Sequence, residues 1–237
     1  MPTAIVLTVG NEIVSGDVEN TNASWLGRRL AGLGVSVKLI AAIRDDVDEI
    51  AAFLRAESPR TDLVFVTGGL GGTPDDLTRE SIAAAFGVGQ EEVPEVAERL
   101  RARFRRAPEY AARWARLPAG SRPLENPLGG APGFVIENVY VFPGLPAEMR
   151  AMFETVEAEL RGERPIGCWR RTYRTTESRI VGVLEAAGMQ HPRVRVGSYP
   201  SFGESGSTVQ VVVKSADPAA LDAAAAWLED ALEEATR

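Results

Sequence analysis

The feature that most constrains this chain is a repeated alternation in its first 86 residues. A short apolar run gives way, through a polar or glycine-rich turn, to a segment with helical spacing, and the pattern then repeats. Ala4 to Val9 reads as a buried strand, and Thr21 to Leu33 as a helix with Trp25, Leu26, Leu30 and Leu33 on one stripe. Val35 to Ile43 is the next strand, followed by a helix that buries Val47, Ile50, Phe53 and Leu54. Asp62 to Thr67 is the third strand, and a helix from Asp76 to Phe86 follows Gly68-Gly69. A β-α-β-α-β-α order implies a mostly parallel sheet with helices on both faces, joined by right-handed crossovers.

Beyond this core, Glu91 to Leu117 has helical period and reads as an inserted helical excursion broken near Pro108. Val135 to Phe142 reads as a hairpin turning at Glu137-Asn138, and a helix from Ala147 to Arg161 follows. The texture changes after Gly162. Strands at Trp169–Thr175, Val194–Tyr199 and Thr208–Val213, with helices at Ser178–Ala187 and Pro218–Glu234, predict a small α+β subdomain. The expected domains are therefore 1–165 and 166–237.

Net charge is −7, with 26 Lys plus Arg against 33 Asp plus Glu. That balance argues against general binding to nucleic acid or an anionic membrane, which needs surplus cations. Cys168 is the sole cysteine, so no intrachain disulfide forms and no thiolate zinc site can be built. No apolar run nears the ~20 residues of a membrane span, and the first residues do not read as a secretion signal. The expectation is a cytoplasmic protein. His191 is the only histidine; it is read as a surface residue, Cys168 as a packed small hydrophobe, and Trp25 and Trp227 as core. Arg99 to Arg106 is read as a solvated helix face balanced by Glu91, Glu92, Glu95 and Glu98.

Four segments follow strands and precede helices: Val9 to Gly16 continuing to Asn22; Arg44-Asp45-Asp46; Thr67 to Thr78; and Pro143 to Glu148. In an open parallel sheet all four fall on the carboxyl edge, where ligands bind. The third segment, Thr67-Gly68-Gly69-Leu70-Gly71-Gly72-Thr73-Pro74-Asp75-Asp76-Leu77-Thr78, is the most telling. Its glycines allow close backbone approach and present N–H groups, and the next helix offers its positive end to an anion. No Lys-Ser/Thr follows, so it is not a Walker A loop. Pro74 stands where a dinucleotide fingerprint needs its third glycine. Asp75 has a capping reading, worth ~1 kcal/mol. Yet two carboxylates beside a phosphate repel it, and a divalent cation (Mg, Mn or Co) resolves the conflict. Asp75 and Asp76 are the metal candidates. Glu12, between Gly10 and Gly16, is either a solvated acid or part of the site. Asn20 and Asn22 either fix a ligand edge or hold a loop, and Asn22 also suits a first helical turn.

Together these residues resemble the CinA-like family, within the molybdopterin-binding domains of Mog, MoaB and MoeA proteins. The matching pieces are Gly10-Asn11-Glu12-Ile13 with Gly16 and Asn20-Thr21-Asn22; Thr67-Gly68-Gly69-Leu70-Gly71 with Thr73, Asp75-Asp76 and Thr78; Asn126 with Gly129 and Ala131-Pro132-Gly133; and Pro143-Gly144-Leu145-Pro146 with Glu148-Met149. Order and spacing agree over roughly residues 3–160. The resemblance implies a three-layer α/β/α fold and a site formed by Gly10, Asn11, Asn20, Asn22, Gly68, Gly69, Gly71, Thr73, Thr78, Pro143, Gly144 and Glu148 around a nucleotide or molybdopterin. Glu12, Asp75 and Asp76 would be catalytic. Some CinA-like domains hydrolyse ADP-ribose with a divalent metal, and Mog-type relatives adenylate molybdopterin. Asp75 stands where many Mog-type proteins carry Arg, which places this loop nearer the pyrophosphatase-like branch. A pterin or nucleotide carrier without turnover is a third reading.

The tail resembles the KH-like subdomain of CinA proteins through Glu177-Ser178 and Val196-Gly197-Ser198-Tyr199-Pro200. Gly203-Glu204-Ser205-Gly206 has the spacing of an RNA clamp, but it carries an acid between two strands and reads as a hairpin turn. The domain that deamidates nicotinamide mononucleotide in longer CinA proteins is not expected here. Gly72 departs from the Pro of many bacterial relatives and is expected to loosen the loop. Relatives assemble as dimers or trimers, so a homo-oligomer, with a dimer favoured, is expected.

Overall fold

The computed structural model describes residues 1–160, 165–203 and 206–236. The chain forms two compact units, one from Met1–Ala31 and Val35–Arg161, the other from Gly32–Gly34 and Gly162–Arg237.

The first unit runs β1 (Thr3–Val9), α1 (Asn11–Ser15), α2 (Thr21–Gly32), β2 (Ser36–Ile43), α3 (Val47–Glu57), β3 (Leu63–Thr67) and α4 (Thr78–Phe86). It continues with β4 (Gln90–Glu92), α5 (Pro94–Arg103), α6 (Pro108–Ala112), β5 (Arg116–Pro118), β6 (Arg122–Leu124), β7 (Gly133–Ile136), β8 (Val139–Phe142) and α7 (Pro146–Val156). The main sheet has the order β2-β1-β3-β8-β7-β6. Its first four strands are parallel, and β7 and β6 are added antiparallel through hairpins. The β7–β8 turn is set by Glu137 in the left-handed region, and Asn138 donates to the carbonyls of Ser58 and Thr61.

Alternation along the strands sends side chains to two faces, and each face has a distinct cover. Leu7, Val9, Val64, Val66, Val139 and Val141 pack under Ile50 and Leu54 of α3 and Ile82 of α4. On the opposite face Phe65 and Phe142 meet Phe153 of α7 at centroid distances of 6.0 and 6.2 Å, and Trp25 of α2 meets Phe153 edge-on at 5.3 Å. The result is the three-layer α/β/α arrangement. These phenylalanines are fully buried, so truncating one to Ala costs about 3–5 kcal/mol.

Four local expectations are corrected. The ends of the 91–117 segment are not helical: Glu91 pairs with Leu117 and Glu92 with Arg116 in a two-stranded antiparallel sheet. α-Helix is confined to α5 and α6, with a 3₁₀ turn at Arg113–Ala115; both helices begin with proline at the first position, where a missing N–H is harmless. The helix after the glycine loop starts at Thr78, not Asp76, because Asp76 binds loop backbone instead. The helix expected at 147–161 is α7, which ends at Val156 and tightens into a 3₁₀ turn, Glu157–Leu160, while Arg161 lies outside the described residues. A one-turn helix, α1, occupies part of the first loop, between Gly10 and a left-handed Gly16.

The second unit is β9 (Gly167–Tyr173), α8 (Glu177–Gln190), β10 (Arg195–Gly203), β11 (Gly206–Ser215) and α9 (Pro218–Thr236), with an antiparallel sheet in the order β10-β11-β9. Ile180, Ala187, Leu228 and Leu232 pack on Tyr173, Val209, Val211 and Val213. Gly203 pairs with Gly206 across the hairpin; Glu204 and Ser205 lie outside the described residues. Cys168 is exposed rather than packed. Its neighbour Trp169 takes the core side of β9, so alternation turns the thiol outward. His191 is half-buried, not a plain surface residue, because the turn ending α8 sets its ring 5.9 Å from Trp227. Trp25 and Trp227 are each half-buried at the core margin. Of the glutamates expected to balance the arginine-rich face, Glu92 pairs with Arg101, while Arg99 pairs with Glu125 and Arg103 donates to the Leu128 carbonyl. Among the described residues no helix is long and apolar enough to cross a membrane.

Candidate functional site

The loops after β1, β2, β3 and β8 converge on one cavity of about 570 Å³. Gly10, Glu12, Asn20, Asn22, Gly68, Gly69, Gly71, Asp75, Asp76, Pro143, Gly144 and Glu148 line it. Asn11, Thr73 and Thr78 are not among the lining residues and instead hold the loops.

The first loop is tied to the second. Gly10 N–H donates to the Ile43 carbonyl at 3.1 Å, and Asn11 N–H donates to Asp45 Oδ2 at 2.8 Å. Asp45 N–H returns a longer bond to Asn11 Oδ1. Asp46, next in line, caps α3 by accepting from Glu49 N–H. Asn20 Oδ1 accepts from the Thr8 hydroxyl and from Ala23 N–H, so it caps α2. Asn22 Nδ2 donates to Thr67 Oγ1 at 3.1 Å and to the Gly144 carbonyl at 2.7 Å, while Thr67 donates to the Pro143 carbonyl. The two asparagines therefore hold loops together, and Asn22 does so from the first turn of α2.

The glycine loop is held at several points. Gly68 and Gly69 have φ of 110° and 62°, a region that favours glycine. The buried Thr78 hydroxyl donates to the Gly68 carbonyl, and the Arg79 guanidinium donates to the carbonyls of Leu70 and Gly71 at 2.8 and 2.7 Å. Asp76 accepts from Gly71 N–H and Thr73 N–H, both at 2.8 Å, and from the Thr73 hydroxyl. The carbonyls of Gly68, Leu70 and Gly71 are thus drawn back into protein. Among the described residues the N–H groups of Gly69 and Leu70 have no acceptor. Neither aspartate caps α4, whose cap position is Leu77. Gly72 does not loosen the loop: Gly71 and Thr73 are anchored on either side of it. A side chain at 72 would collide with Tyr110 and would come within 2.8 Å of Trp114 Nε1. Glycine here makes room for aromatic rings of the α5–α6 excursion.

On the far wall, Asn126 Nδ2 donates to Glu148 Oε2 at 2.9 Å and to the Ala131 carbonyl at 3.0 Å. This places Glu148 of α7 on the cavity.

Three further residues belong to the site. Asp45 was visible only as part of a polar turn. Arg79 is buried and reaches out of its helix to the preceding glycine loop, which an arginine in a first turn does not announce. Trp114 comes from the excursion and had no local signal. Burial pushes the Arg79 guanidinium below its usual pKa, partly offset by Glu80 and Asp76. Replacing Arg79 with Met leaves two loop carbonyls without their donor, and equilibrium denaturation should show a loss of about 2–4 kcal/mol. An unchanged midpoint would mean that the clamp is not structural.

Six carboxylates line the cavity (Glu12, Glu19, Asp45, Asp75, Asp76 and Glu148), and no Lys, Arg or His joins them among the described residues. Burial holds the Asp45 carboxyl above the usual range, reinforced by Glu12, Asp75 and Asp76 and opposed by the Asn11 N–H. An acid whose folded pKa is raised costs stability above that pKa and nothing below its unfolded value. Asp45→Asn, which keeps an acceptor for Asn11, should therefore raise the melting temperature at pH 7. The gain should vanish in acid below about pH 4, where the carboxyl is already protonated. Melts of both proteins from pH 3 to 8 would show it, and a gain independent of pH would refute the charge origin.

Fold and site together define an α/β/α domain that presents a glycine loop and an acidic cavity at the carboxyl edge of its sheet. The family model described as "Probable molybdopterin binding domain" matches residues 5–162, so the chain belongs to that family. A CinA-like protein of Frankia casuarinae is 47% identical over 163 residues, which are 63% of this chain and 38% of that protein. The chain thus spans well under half of that relative. A protein of Archaeoglobus fulgidus is 41% identical over 200 residues, covering 84% of this chain and 86% of that one. The solved structure of the protein CinA from Thermoplasma acidophilum, of unknown function, superimposes with a TM-score of 0.64 at 34% identity, over 67% of this chain and 98% of that chain. Residues 172–236 match a different model, described as "FAD synthase, middle domain".

Proposed function

We propose that the first unit binds a phosphorylated nucleotide or pterin with a divalent cation, and hydrolyses the pyrophosphate of ADP-ribose or a related nucleotide. The observation that carries this reading is the pairing of a glycine loop with six lining carboxylates and no lining base. Two like charges 4 Å apart repel by about 4 kcal/mol at an effective dielectric of 20. A bare phosphate is therefore poorly tolerated, while a phosphate carrying its own cation is not.

The donor set suits such a cation. Among the described residues no group of three or more His, Cys, Asp or Glu is gathered to hold a metal by itself. A magnesium-like ion needs only one or two carboxylates when phosphate oxygens and water complete its shell. Glu12 and Asp75 would hold it, since Asp76 is engaged with the loop and Asp45 with Asn11. The ion would stabilise charge on the pyrophosphate oxygens. The free N–H groups of Gly69 and Leu70 would receive phosphate oxygens. Asp45, whose proton affinity is raised, is suited to take the proton of the attacking water. Water oxygen bonds to phosphorus, the bridging P–O bond breaks, and AMP and ribose 5-phosphate leave.

Incubation with ADP-ribose should release AMP only when Mg²⁺, Mn²⁺ or Co²⁺ is added, and Glu12→Gln should slow release about 100-fold or more. No AMP with any of the three ions would sink the hydrolase reading. The family match favours a second reading for that case, adenylation of molybdopterin in the same cavity, to be tested with molybdopterin and ATP. For the second unit we keep the reading of a KH-like packing module without an RNA clamp. Its glycine pair closes a hairpin, and the nearby Arg193 is paired with Asp217 at 2.7 Å.

A further inference from the structure

We propose that Trp114 is the ring-recognition residue of this cavity, the surface on which a planar heterocycle of the ligand packs; this rests on the nucleotide or pterin reading above. Trp114 is the only aromatic residue among those that line the cavity. It arrives from a different part of the chain than the phosphate-facing loops. It sits in a 3₁₀ turn (Arg113–Ala115) at the end of the α5–α6 excursion.

Its ring is held before any ligand binds. Phe104 meets it edge-on at 5.1 Å and 82°, and Tyr110 at 5.8 Å and 70°. Gly72 passes so close to Tyr110 and Trp114 that a side chain there would collide with them. The excursion thereby joins the ring directly to the loop that would carry the phosphates. Trp114 Nε1 is buried and has no hydrogen-bond partner among the described residues. Leaving an indole N–H unsatisfied is unfavourable, and a structure that only needed to fill space there would be better served by Phe. A fixed, partly buried indole on the cavity margin suits a purine or pterin, since stacking on an aromatic side chain accepts any flat ring.

The test separates ring from phosphate. Calorimetry with Mg²⁺ present, in an Asp45→Asn background that removes the proposed base and so stops turnover, would compare ADP-ribose, which carries a purine, with inorganic pyrophosphate, which carries none, for Trp114, Trp114→Phe and Trp114→Ala. Trp114→Ala should weaken ADP-ribose about tenfold or more, as loss of one base stack does, and leave pyrophosphate unchanged. Trp114→Phe should retain most ADP-ribose affinity, which also shows that substitution at 114 does not unfold the cavity. The chain has four tryptophans, and the ADP-ribose-dependent quench of their emission should be lost in Trp114→Phe. Equal ADP-ribose affinity for Trp114 and Trp114→Ala overturns the proposal while leaving the function reading intact. Equal weakening of ADP-ribose and pyrophosphate also overturns it, because Trp114 is then only structural. Failure of wild type to bind ADP-ribose, AMP or a pterin overturns both.

Discussion

Replacing Gly68 with alanine should leave little or no folded first unit. Gly68 has φ of 110°, and an added Cβ would lie far inside van der Waals contact of the Val9 carbonyl oxygen. That atom belongs to β1, which is buried and paired on both sides, so neither chain can yield cheaply. Backbone collision in a packed core adds to the strain of the left-handed region, and a cost of about 4 kcal/mol or more is expected. That is a large part of a typical domain's stability. Gly16→Ala is the internal control: it has positive φ but open space around it, and only about 1–2 kcal/mol is expected. Denaturation midpoints of the two variants distinguish collision from backbone strain. Equal small shifts would show that the β1–β3 loop contact relaxes easily.

Asp76→Ala should abolish the proposed hydrolysis while leaving the sheet folded. The carboxylate gathers two backbone N–H groups and one hydroxyl of a short loop. Without it the N–H groups of Gly71 and Thr73 lose their acceptor and this stretch is held only by its carbonyls, through Arg79 at Gly71 and the backbone N–H of residue 76 at Thr73, so the N–H groups of Gly69 and Leu70 lose their preset direction. Misplacing such donors costs ~100-fold or more in rate, so AMP release should fall at least that far. Stability should fall by only about 1–3 kcal/mol, because the loop is partly open to water. Asp76→Asn should fail similarly, since an amide N–H₂ would face one of the donors that the carboxylate accepts. A fully active Asn variant would show that charge and geometry here are separable. Wild-type rates in both would remove Asp76 from the site.

Much of the first unit was legible because its signals are local. Ala4 to Val9 has no polar face, so it is buried on both sides; Trp25, Leu26 and Leu30 recur at helical spacing. The alternation implies parallel strands, and parallel strands put their following loops on one edge. That is why most of the residues expected at the site do share one cavity. The 91–117 segment misled for the same reason. Val96, Ala97 and Leu100 have helical period, but β4 exists only because β5 returns beside it, and such pairing leaves no trace in either three-residue stretch.

By itself the sequence determined the layer order, the loops at the sheet's edge and the acidic residues in them, since each follows from the periodicity and composition of neighbouring residues. Tertiary structure alone decided what each side chain does. Asn11 finds Asp45 across 34 residues, Asn22 finds Gly144 across 122, and Asn126 finds Glu148 across 22. These meetings depend on which strands lie side by side, a property of the whole sheet. Asp76 came to anchor the glycine loop, and Trp114 came to the cavity from a helical excursion, because a hydrogen bond or ring contact is set by distance in space, and periodicity reports only distance along the chain.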